Sequence, residues 1–97
     1  MMEERDYLII LYDFYSGLLT DKQREYFEDY YFNNLSLGEI SENTLLSRNA
    51  IHKNIKNVCD RLYFYEEKLG LYKKREELYN VISNLNDDIK EKIEKIY

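Results

Sequence analysis

Between positions 47 and 56 the chain reads "SRNAIHKNIK", and most of its polar side chains are of kinds that engage nucleic acid. Arginine and asparagine hydrogen-bond in pairs to the major-groove edges of guanine and adenine. Arg48 and Asn49 supply both types side by side, and His52 follows at helical spacing. Lys53 and Lys56 suit phosphate oxygens, contacts that fix register and carry no sequence information. Ser47 is a good helix cap, and a helix opened there would aim its free amides at an approaching phosphate. The candidate DNA contacts are therefore Ser47, Arg48, Asn49, His52, Lys53 and Lys56.

The charge pattern favours the same stretch. The 97-residue chain has a formal net charge of −5, yet residues 48–61 hold Arg48, Lys53, Lys56 and Arg61 against Asp60 alone. That excess of basic residues falls where a reader of DNA needs it. Because the protein as a whole repels DNA, non-specific binding is expected to be weak, and specific binding needs two copies or a partner.

Such a face requires a helix behind it and a second helix to hold it. Ile51 and Ile55, four apart, turn inward and leave the cationic side chains outside. In a helix-turn-helix, Leu37 and Ile40 would face the core from the first helix, Leu46 from the turn, and Ile51 and Ile55 from the second. Ser41 falls where the helices touch and a small residue is needed. Leu45 stands where such motifs often place glycine or asparagine to turn through a left-handed conformation; leucine there costs about 1 kcal/mol unless the turn is built differently.

The remaining elements are helical as well. Residues 4–16 are apolar on most sides, with Leu8, Leu11, Tyr12 and Tyr15 as one stripe and Gly17 as the break. "TDKQ" and "SLGE" both have capping-box spacing, which starts helices after Thr20 and Ser36. Ser47 starts a fourth helix, reaching about Lys68, with an apolar seam at Ile51, Ile55, Val58, Leu62, Tyr65 and Leu69. Gly70 ends it, and two helices follow near 72–83 and 87–96, with Asp87 and Asp88 at the positive end of the last. No proline interrupts this pattern. The fold class is all-α: one helical domain over 1–97, a helix-turn-helix portion at 20–62 and a C-terminal helical extension at 70–97.

Other chemistries find little support. Cys59 is the single cysteine and His52 the single histidine, too few for a zinc site, which wants about four ligands. Ser36 and Ser47 have no base-and-orienter partners and serve as caps; no glycine-rich phosphate loop is present. No enzyme activity, cofactor or metal is expected. Tyr26, Tyr30, Tyr63 and Tyr65 sit at helical spacing and belong to core or interface. The longest apolar run, "YLIILY", is too short to span a membrane, and one cysteine with no cleavage site suits the cytoplasm.

"LLTDKQREYFEDYYFNNLSLGEISENTLLSRNAIHKNIKNVCDRLYFYEEKLGLY", residues 18–72, closely resembles the YlxM/p13-like family of small helix-turn-helix proteins. The motifs that carry the likeness are "LLTDKQR", "YY", "SLGEI", "SRNAI" and "YEEKL"; the chain departs from it at Ser41, where alanine is commoner, and in the "NTLL" turn. The resemblance implies a fold similar to region 4 of sigma factors and a link, inferred from gene neighbourhood, to the signal recognition particle pathway. Two functions follow as expectations: a regulator binding double-stranded DNA, or an accessory factor that contacts signal-recognition-particle components. A homodimer is expected through the 51–69 helix or the C-terminal helices; a purely structural reading makes those helices a dimerising clamp and the motif an inherited scaffold.

Overall fold

The computed structural model describes residues 2–96, and every regular element among them is helical. Six α-helices run in chain order: α1 (Glu4–Tyr15), α2 (Asp21–Tyr31), α3 (Leu37–Thr44), α4 (Arg48–Leu69), α5 (Leu71–Ile82) and α6 (Asp87–Ile96). A single 3-10 turn, Ser16–Leu18, links the first two.

Local chemistry sets the helix starts. The Thr20 side chain accepts the Gln23 amide at 3.1 Å while Gln23 Oε1 accepts the Thr20 amide at 2.9 Å. Ser36 and Glu39 repeat the reciprocal pair at 3.1 and 3.0 Å. Each box satisfies two backbone donors that a helix end otherwise leaves open. Gly70 closes α4 at φ 62°, a left-handed conformation that glycine adopts without a Cβ penalty.

α4 is the spine, and α1, α2 and α3 all pack along it. Leu8, Leu11, Tyr12 and Tyr15 of α1 meet Val58 and Leu62 of α4, with Leu19 and Phe27 between them. Nearer the start of α4, Ile51 and Ile55 close on Tyr26 and Ile40 in a second cluster. Cys59 touches both clusters and bridges them. Full burial of each aliphatic side chain contributes about 1.5–3 kcal/mol, so the isoleucines that fix the orientation of α4 are also among its anchors.

The apolar seam of α4 is therefore covered from Ile51 to Tyr65 by the chain's own helices, and its last member, Leu69, is exposed. Ile51, Ile55, Val58 and Leu62 are buried, and Tyr65 is half-buried with its hydroxyl donating to the Leu18 carbonyl at 3.3 Å. Heptad spacing is satisfied here within one chain, which leaves Phe64 and Leu69 as the exposed large apolar side chains of this helix.

α5 is pinned to α1 by Arg75, whose guanidinium lies 4.6 Å from the Phe14 ring centre and 5.5 Å from that of Tyr72. α6 has an apolar stripe of Ile89, Ile93 and Ile96, with Ile89 and Ile96 exposed. The molecule is elongated, 54 × 27 × 25 Å. No helix among the described residues is long and apolar enough to cross a membrane.

Candidate nucleic-acid interface

α3 and α4 are joined by Leu45, Leu46 and Ser47. Leu45 is the left-handed residue, at φ 62° and ψ 12°, and its amide still bonds back to the Ser41 carbonyl at 3.0 Å. Two hydroxyls brace the turn around it. Ser41 Oγ donates to the Leu46 carbonyl. Thr44 Oγ1 donates to the Ile40 carbonyl at 2.8 Å and accepts the Leu46 amide at 3.4 Å. These bonds offset the cost of leucine in a left-handed conformation and explain how the turn dispenses with glycine.

Leu46 does not face the core. It is 38% exposed, and Leu45 is 95% exposed. Once Ser41 holds the Leu46 carbonyl, the turn directs both leucines outward, and Tyr26 and Ile40 complete the core beneath α4 in their place. Leu37 is half-buried, and Ile40, Ile51 and Ile55 are buried. Ser41 is bonded into the turn, and α4 meets α3 through Ile51 and Ile55 against Ile40 and through the Arg48 guanidinium against Gly38.

The candidate contacts lie together. Ser47 caps α4, its side chain accepting the Ala50 amide at 3.1 Å. Arg48, Asn49, His52, Lys53 and Lys56 are all exposed along the N-terminal half of α4, where Ile51 and Ile55 are buried. Lys56 pairs with Asp60 at 3.2 Å, an exposed i,i+4 pair of small energetic weight. Among the described residues, neither Arg48 nor Lys53 has a carboxylate within ion-pair distance. Arg48 stands in the first turn of α4, where the helix dipole disfavours a cation. An incoming phosphate would relieve that.

Charge is segregated along the chain. Residues 1–35 hold eight acidic side chains against three basic ones, and the rest of the sequence is balanced. The entire net negative charge thus resides on the segment containing α1 and α2, leaving α3 and α4 neutral in sum.

Beside this face a cleft of about 400 Å³ runs along α4, with Tyr30, Tyr31, Leu37, His52, Cys59 and Tyr63 among its lining residues. Tyr31 Oη and Cys59 Sγ lie 3.6 Å apart. Burial pushes the Cys59 thiol above its usual range, against a smaller opposing effect of the Tyr31 contact. A thiol so placed is a protonated packing residue and a poor nucleophile. Gly38, for which spacing alone gave no role, lies against the Arg48 guanidinium; its signal in the sequence is a glycine inside a capped helix, where no turn calls for one.

Two packed helices joined by a three-residue turn, the second presenting an exposed cationic N-terminal face, define a helix-turn-helix protein. A family model described as "Putative helix-turn-helix protein, YlxM / p13 like" matches residues 2–97. The chain belongs to that family, UPF0122. It is 52% identical over 83 residues to a UPF0122 protein of Caldanaerobacter subterraneus subsp. tengcongensis, covering 86% of this chain and 71% of the relative. It is 49% identical over 84 residues to one of Ureaplasma parvum serovar 3, covering 84% and 85%. A Geobacillus kaustophilus relative is 46% identical over 89 residues, covering 92% and 81%.

Proposed function

We propose that this protein is a regulator that binds double-stranded DNA through the N-terminal half of α4. In this reading Arg48 and Asn49 meet base edges, Lys53 and Lys56 meet phosphates, His52 lies between the two sets, and Ser47 presents the amide end of the helix. One observation carries it: with Ile51 and Ile55 buried, the start of α4 exposes a cationic face on which Arg48 and Lys53 pair with no carboxylate among the described residues. Residues 20–62 then form the reading portion and 70–97 an arm.

The test is the double substitution Arg48→Ala plus Lys53→Ala, with binding to promoter-containing duplexes followed by fluorescence anisotropy. Binding is lost and the far-UV dichroism is unchanged. Retained binding would place the reader elsewhere.

A single short reader gives modest specificity, so the active form is a two-fold dimer. With the α4 seam occupied internally, the exposed isoleucines of α6 provide its contact. Replacing Ile89 and Ile96 by Glu yields a monomer in sedimentation; an unchanged oligomeric state removes α6 from this role. The accessory reading, contact with a component of the signal recognition particle, is favoured by the outward Leu45 and Leu46, which suit a protein surface better than a phosphate backbone. Capture of such a component by the wild type and its loss in Leu45→Asp would support that alternative.

A further inference from the structure

We propose that Gly38 is a positioning residue for Arg48: the bare backbone of α3 at this point is the seat on which the guanidinium lies when the protein reads DNA. This rests on the DNA-binding reading above and names the residue that sets the geometry of its leading side chain.

Glycine is the poorest helix former after proline, and its usual justification is a positive φ or a close approach of other atoms. Position 38 lies in the first turn of α3, inside the capping box formed by Ser36 and Glu39. Its φ is not in the left-handed region, since Gly70 is the only described glycine found there. The turn that follows α3 is made by Leu45 and does not involve it. What occupies the missing side chain's place is Arg48: a Cβ at 38 would fall 2.8 Å from Nη2 and 3.1 Å from both Cζ and Nε. The three nearest atoms all belong to this one guanidinium. Even an alanine methyl would therefore lift the guanidinium off the helix.

The seat matters because arginine is costly to order. Its long side chain has many rotamers, and a guanidinium held before DNA arrives gives up less freedom on binding. Set against a glycine, the group lies closer to the helix than any side chain at 38 would allow. Among the described residues no carboxylate or carbonyl competes for its donors. A bidentate base contact demands this kind of fixed approach.

The experiment uses the full chain in four forms: wild type, Gly38→Ala, Arg48→Ala and the double variant. The probe is a labelled duplex selected by the wild-type protein from a randomised pool. Gly38→Ala is expected to melt at the same temperature as wild type or higher, because alanine favours the helix, and to bind about tenfold more weakly. In the Arg48→Ala background the same substitution changes affinity by less than about twofold, because the residue through which it acts is gone.

An equal loss in both backgrounds would make Gly38 a packing residue and overturn the proposal. So would unchanged or tighter binding by Gly38→Ala, since the seat would then be idle or compete with DNA. Nitrogen relaxation at Arg48 Nε supplies a readout free of DNA: order is high in the wild type and falls in Gly38→Ala. If no duplex is selected, the DNA reading fails by itself, and the relaxation measurement still decides whether the seat exists.

Discussion

The Tyr15 hydroxyl donates to the Glu66 carboxylate and accepts the Leu71 amide at 3.0 Å. The same carboxylate accepts the amides of Tyr72 and Lys73, each at 3.1 Å. One acid near the end of α4 thereby caps α5, and a phenol from α1 completes the junction. Glu66→Ala leaves a phenol and two amides without this partner. The expected cost is about 1–3 kcal/mol, with faster amide exchange over 71–82 and little change over α3. Protection that stays uniform would show that the junction does not hold the arm.

Alkaline pH tests the same phenols. Burial first, and then the bond to Glu66, push Tyr15 up to about 12 from its usual 10.0. Burial followed by the Glu4 bond does the same to Tyr63, also up to about 12. Tyr12 and Tyr31 are raised too, each chiefly by burial. A raised phenol keeps its proton longer in the folded protein, so this stabilisation is complete below pH 10 and is lost as pH climbs from about 10 to 12. Urea midpoints should begin to fall near pH 9, where the raised Cys59 thiol starts to count, and fall more steeply above about 10 as the phenols follow. Tyr15→Phe should shallow the fall.

The turn of the motif offers a stability gain. Leu45 combines a left-handed backbone with almost complete exposure. Leu45→Gly removes the steric penalty, and the extra freedom of glycine in the unfolded chain takes part of the gain back. A net increase of up to about 1 kcal/mol in urea denaturation is expected, with DNA affinity preserved. A loss of affinity would move this leucine into the binding surface.

Salt dependence reports how many cations touch phosphate. With Lys53 and Lys56 engaged, and Arg48 in part, log K should fall against log salt with a slope of about −2 to −3 per reading unit. Lys53→Ala should reduce the slope by about 1, and affinities for selected and unrelated duplexes should drop together. A slope near zero would mean that no phosphate is contacted.

The parts legible in the sequence were those set by local chemistry. Thr20 with Gln23 and Ser36 with Glu39 lie three residues apart, so their reciprocal bonds are visible as spacing alone, and Gly70 marks its own helix end. The inward turn of Ile51 and Ile55 followed from periodicity. What escaped depends on contacts across the fold. The outward turn of Leu46 follows from a hydroxyl five residues away, and the seam at Tyr65 is filled by helices that spacing cannot locate. The role of Glu66 depends on α1, which brings Tyr15 against it. Gly38 and Arg48 are ten residues apart, and only the angle between α3 and α4 makes them neighbours.

The continuity of α4 ties the two ends of the molecule together. Its 22 residues run without a break from Arg48, at the cationic face, to Leu69, beside the junction with the arm. A shaft of that length, about 33 Å, has no hinge of its own. A push at the Leu69 end would therefore reach the cationic end as a tilt of the whole rod.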